Sequence, residues 1–182
     1  MCTLYAAASR DIVRLYVTPR LLYGLNATML LSAQFKQLDN YHKNLLRQIQ
    51  SLPSNTATVM IYLMLGVLPL EAQLDMAYLA LFGAISRLDA DNPLRQIGIR
   101  QMALKERHSK SWFRRVLDIG DKYGLDLQPI ILHPWPKLSW KAHVKLLVTQ
   151  LWLRNMAEEA ETRSTLSWLL IHECWLGRIH PL

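Results

Sequence analysis

Two features of the sequence predict an all-α fold. Apolar residues recur at spacings of three and four along nearly the whole chain, and no segment alternates with period two between turn signals. A third feature divides the helices. Pro129, Pro134 and Pro136 forbid a continuous helix across 125–138, which is expected to act as a Pro-rich linker between a larger helical domain, 1–124, and a smaller C-terminal helical pair, 139–182.

Taken in order, short helices are expected over 11–17 and 19–31, with Pro19 breaking or kinking one from the other. A longer helix runs from about 34 to 51, with Phe35, Leu38, Leu45, Leu46 and Ile49 at its apolar positions, and Pro53-Ser54-Asn55 stops it. The most apolar run, 57–70, has 14 residues including Gly66 and Pro69. A membrane-spanning helix needs about 20, so this run reads as a core helix with its exit turn, capped by Asn55 or Thr56. Leu70, Leu74, Ala77, Leu81, Ile85 and Leu88 mark one face of a helix over 70–88, and Pro69 at its start costs no needed donor. Helices follow at 93–107 and 111–123. After the linker, Ser139 is the expected N-cap of a helix bearing Trp140, Val144, Leu147 and Leu151, and a last helix over 164–176 ends at Gly177. Trp152, Trp168 and Trp175 lie in apolar stripes and are expected in the core.

Hydrophobic residues make up 51% of the 182, enough for a real core. The formal charge is +7, and it is uneven: residues 1–91 have 7 basic and 6 acidic side chains, residues 92–182 have 14 and 8. Such an imbalance suits a polyanionic partner, either nucleic acid or an anionic surface. Cys2 and Cys174 give no disulfide framework, and the N-terminal stretch lacks a basic region followed by an uninterrupted apolar one. An intracellular protein, nuclear or cytoplasmic, is therefore expected, without a membrane partner.

The sequence holds no complete catalytic motif. His172, Glu173, Cys174 and His180 resemble a metal site only superficially, because a His-Glu-x-x-His motif would need His where Leu176 stands, and Cys2 is remote as a fourth ligand. Asp89 and Asp91 read as a helix end and turn rather than a magnesium site. There is no phosphate-binding Gly-rich loop, nucleophile elbow or adjacent Asp-Asp pair. No catalytic residue, metal or cofactor is assigned.

The positive signal lies in 95–115, RQIGIRQMALKERHSKSWFRR. Arg95, Arg100, Lys105, Arg107, Lys110, Arg114 and Arg115 face only Glu106. Lys141 and Lys145, four apart on one helix face, form a sparser row. Basic side chains neutralise phosphates and release counterions; Trp112 and Phe113 would either stack on bases or pack inward.

Several stretches resemble the region that follows the palm in reverse transcriptases of non-LTR retrotransposons, of the type found in invertebrate genomes. They are RLYVTPRLLYGL (14–25), LLRQIQSLPSNTAT (45–58), YLMLGVLPLEAQLD (62–75), SKSWFRRV (109–116), PWPKLSWKAHVK (134–145) and RSTLSWL (163–169), in that order. The resemblance implies a thumb-like helical bundle that would follow fingers and palm and grip RNA or DNA template-primer through the basic residues. The palm's paired metal-binding aspartates have no counterpart in this sequence, so the resemblance implies a catalytically inactive fragment of an RNA-directed DNA polymerase. Asn26 stands where relatives usually have an acidic residue. A helical protein-interaction module without a nucleic-acid role is the alternative, with 19–31 as its apolar patch; the oligomeric state is left open.

Overall fold

Eight α-helices and no strand occupy the described residues of the computed structural model, which are 8, 10–104 and 110–163. They are α1 (Thr18–Leu22), α2 (Ser32–Ile49), α3 (Thr58–Leu65), α4 (Leu70–Ser86), α5 (Pro93–Leu104), α6 (Trp112–Lys122), α7 (Gln128–Leu132) and α8 (Lys137–Glu161). The all-α expectation holds. The helix expected over 164–176, with Gly177, Trp168 and Trp175, lies outside the described residues, as do Cys2, His172, Glu173, Cys174 and His180.

The chain forms two compact units. One comprises Met1–Tyr23, Leu30–Ala72 and Gln150–Leu182; the other comprises Gly24–Met29 and Gln73–Thr149. This division does not follow the expected boundaries at 124 and 139. Within 125–138, Leu125, Leu127, Ile130 and Ile131 are buried in the second unit, whereas 132–138, with Pro134 and Pro136, is exposed. Pro129 sits in the first turn of α7, where the ring's fixed φ suits a helix and its missing donor is not needed.

In the first unit, Leu46 of α2 joins Val59, Ile61, Tyr62, Leu63 and Leu65 of α3, with Val13, Met156 and Ala160, in one apolar cluster. The Gln50 amide crosses from the end of α2 to donate to the Ile61 carbonyl at 3.1 Å. α3 stops at Gly66, which adopts φ 61°, while the Val67 N–H bonds back to the Tyr62 carbonyl. That is the left-handed helix stop glycine permits. The cap expected at Asn55 or Thr56 is absent: α3 starts after Ala57 without a side-chain cap. Pro19 does not break the chain's helical path either. A π turn, Val13–Val17, leads straight into α1, with the Thr18 N–H bonded five residues back to Val13. A wider turn relieves the clash of a proline ring with the carbonyl four residues before it. The helix stops instead at Gly24, φ 74°, followed by a 3-10 turn, Leu25–Ala27, so the single helix expected over 19–31 does not form.

In the second unit, Leu79 and Phe82 of α4 are buried beside Trp140 of α8, whose indole N–H donates to the Leu79 carbonyl at 2.8 Å. Gly83 is required here, because a Cβ would run into the Trp140 ring. The buried face of α4 is thus broader than the predicted stripe, whose Ala77 and Leu81 are only half-buried. α8 begins two residues before Ser139, leaving Ser139 inside the first turn, where it cannot serve as the N-cap. The Asp89 to Asn92 segment is the expected turn: the Asn92 carboxamide oxygen accepts the Leu94 N–H at 3.0 Å and caps α5.

Candidate nucleic-acid interface

Of the predicted basic residues, Arg95 and Arg100 fall on α5, Arg114 and Arg115 on α6 and Lys141 and Lys145 on α8, all within the second unit, whose sequence has 12 basic against 7 acidic residues, a net +5. They do not share one role. Arg95 stands in the first turn of α5 and turns inward: Nη1 donates to the Leu88 carbonyl at 2.9 Å, Nε and Nη2 to the Ile131 carbonyl at 3.2 and 3.1 Å, and Nη2 also to the Leu132 carbonyl at 3.1 Å. Its charge satisfies carbonyls left open past the end of α4 and at the end of α7, the groups helix termini expose. Arg95 is a structural clip, which removes it from the predicted surface.

Arg114 is half-buried on α6, with Nε 3.5 Å from the Asp118 carboxylate one turn on, so its charge is partly neutralised. Lys145 is half-buried on α8 and has an interaction partner. Lys105 and Arg107 lie outside the described residues. Arg100 on α5, Lys110 ahead of α6, Arg115 on α6 and Lys141 on α8 are exposed, and none is in an ion pair among the described residues.

α6 has one strongly apolar face, Phe113, Val116, Leu117 and Gly120, which fixes Arg115 on the opposite, solvent side. Phe113 packs edge-on against Trp112 at 4.9 Å and faces Gly98, where a Cβ would meet it at 2.7 Å. Trp112 donates its indole N–H to the Asn26 carbonyl at 2.7 Å and lies 6.1 Å from the Tyr78 ring. Phe113 is buried and Trp112 half-buried, and both rings are engaged within the unit. Burial raises the Tyr78 phenol's pKa, with Asp75 adding to the rise and Arg115 opposing it. Tyr78 is held as a neutral donor to the Thr28 carbonyl.

Sequence reading passed over Trp135. Its residue is 40% exposed, it lies edge-on to Trp140 at 6.3 Å and it stands 5.1 Å from His143, beside a cavity of about 330 Å³. The available signal was Pro134-Trp135-Pro136, a large aromatic between two residues of fixed φ. Among the described residues no three His, Cys, Asp or Glu side chains converge as a metal site, and no single helix is long and apolar enough to cross a membrane. Comparison with protein-family models, curated proteins and solved structures finds no match.

Proposed function

We propose that this chain is a catalytically silent, strand-gripping part of a non-LTR retrotransposon reverse transcriptase, the thumb-like region after the palm, and that it binds RNA or DNA inside the cell through the basic surface of its second unit. One observation carries the binding reading: Arg100, Lys110, Arg115 and Lys141 are exposed and lack carboxylate partners among the described residues, within a unit of net +5. Unneutralised cations on helices attract phosphate and release its counterions. The family assignment rests on the ordered succession of sequence stretches and the helical fold that accompanies them. Titrating labelled single-stranded RNA at 50 and 200 mM salt tests the binding reading, which requires an affinity that falls steeply between the two.

A second reading, a protein-interaction module, is favoured by the exposed apolar side chains of the first unit. Leu15, Tyr16 and Leu31 are exposed there, and Tyr23 is 89% exposed. Light scattering across concentrations separates the two. A monomer with salt-sensitive RNA binding supports the nucleic-acid reading, and a salt-insensitive oligomer that ignores RNA supports the other.

A further inference from the structure

We propose that the cavity beside Trp135 is a stacking pocket for one unpaired nucleobase of a single-stranded nucleic acid; this rests on the nucleic-acid reading above and locates its base contact. At about 330 Å³ the cavity is at the small end of ligand sites and accommodates a single planar group. Leu125 and Ile130 supply an apolar floor, Trp135 and His143 an aromatic wall, and Asp126 and His133 a polar rim.

Trp135 is preorganised for this task. Pro134 and Pro136 restrict the backbone on both sides, and the ring leans edge-on against Trp140, which is itself buried and tied to the Leu79 carbonyl. A large aromatic held partly exposed in this way loses little freedom when a second ring stacks on it. The His143 ring, tilted 40° to the indole, offers a second planar surface. Every base has a π face, so such a wall is tolerant of sequence. The rim adds hydrogen bonding. Asp126 uses Oδ1 to accept the Gln128 N–H at 3.1 Å, and its other oxygen, without a hydrogen-bond partner among the described residues, can accept from an exocyclic amine or ring N–H. Lys137, exposed and two residues after Trp135 in sequence, adds a positive charge to the same segment.

A proline-rich peptide is the other occupant an aromatic cleft takes, but such peptides lie along grooves lined by several aromatics. The pocket has one exposed indole within a unit of net +5, which favours the base.

The test uses the full chain and two probes, a labelled 12-nucleotide single-stranded RNA followed by anisotropy and adenosine monophosphate followed by the NMR shift of the Trp135 indole N–H, assigned with Trp135→Phe. The expected results are that Trp135→Ala weakens the RNA about tenfold, that Trp135→Phe recovers most of the loss, and that adenosine monophosphate shifts the Trp135 resonance. Wild-type RNA affinity in Trp135→Ala overturns the pocket and leaves the basic surface standing. Should the RNA not bind at all, the surface reading falls and so does the pocket as a contact for a single-stranded nucleic acid, and a Trp135 shift with adenosine monophosphate then reports only a mononucleotide site. A shift with a proline-rich peptide and none with the nucleotide also overturns the proposal. The nucleotide titration needs only the wild-type fold, so a Trp135→Ala chain that fails to fold does not block the decision.

Discussion

Asp75 and Tyr123 meet inside the second unit, the phenol donating to the Asp75 Oδ2 at 2.7 Å, and Lys122 Nζ reaches the same oxygen at the same distance. Asp75 is 2% exposed, and a buried carboxylate persists only when charge and hydrogen bonds compensate its lost water. The pair ties α4 to the end of α6, the helix that presents Arg115.

Lys122→Met is expected to cost about 2 kcal/mol of stability, since it removes the ammonium while Tyr123 still donates to Asp75. This lies below the roughly 3–5 kcal/mol of a fully buried pair because the lysine side chain is about one-third exposed and partly screened by water. Urea unfolding measures it, and a loss under about half that value contradicts the role given to this contact.

Arg95→Ala is expected to lower stability by about 2 kcal/mol, because the Leu88, Ile131 and Leu132 carbonyls lose a charged donor. It should leave the salt dependence of RNA binding untouched. Arg115→Gln should do the reverse, changing the salt dependence with stability within about 0.5 kcal/mol of wild type. Urea melts and salt titrations of both variants separate a clip from a contact.

His42 gives the first unit a pH dependence. Burial pushes its pKa from 6.5 down to about 4, with Asp39 opposing the fall and Lys43 adding to it, and neither ring nitrogen has a hydrogen-bond partner among the described residues. Between these values the unfolded chain binds a proton that the folded one refuses. Stability contributed by neutral His42 is therefore complete above pH 6.5 and is lost as pH falls toward 4, on the order of 3 kcal/mol in all. His42→Phe, which keeps a ring against Tyr62, is expected to flatten the stability curve over that interval in unfolding experiments at stepped pH.

Asn26→Asp tests the position where relatives of the resembled family usually have an acidic residue. The Asn26 carboxamide donates to the Ala77 carbonyl at 3.4 Å, a bond that a carboxylate replaces with repulsion between two acceptors. The expected cost is about 1 kcal/mol in thermal or urea unfolding at pH 7, diminishing at pH 3 where the new side chain is protonated.

Periodicity located the long helices because repeated burial on one face leaves a repeat in the sequence: Leu46 in α2, Leu74 and Ile85 in α4, and Trp140 and Val144 in α8 are buried as their spacing implied. It could not locate partners distant in sequence. Arg95 looked like one more surface cation because the carbonyls it serves at 131 and 132 come 36 and 37 residues later. Ser139 and Thr56 have good capping side chains, yet the helices start elsewhere, since packing of Trp140 and Val59 decides the register more strongly than one cap bond. Trp135 lies between Pro134 and Pro136, outside any helical stripe, so periodicity carries no signal for it.

The most direct test of a nucleic-acid grip is the slope of log affinity against log salt for single-stranded RNA, measured for the wild-type chain and for one in which Arg100, Lys110, Arg115 and Lys141 are all replaced by Gln. At about 0.7 per neutralised phosphate, the slope should flatten by roughly 3 if each cation engages one phosphate. An unchanged slope, or no RNA binding by the wild-type chain at 50 mM salt, would contradict the account.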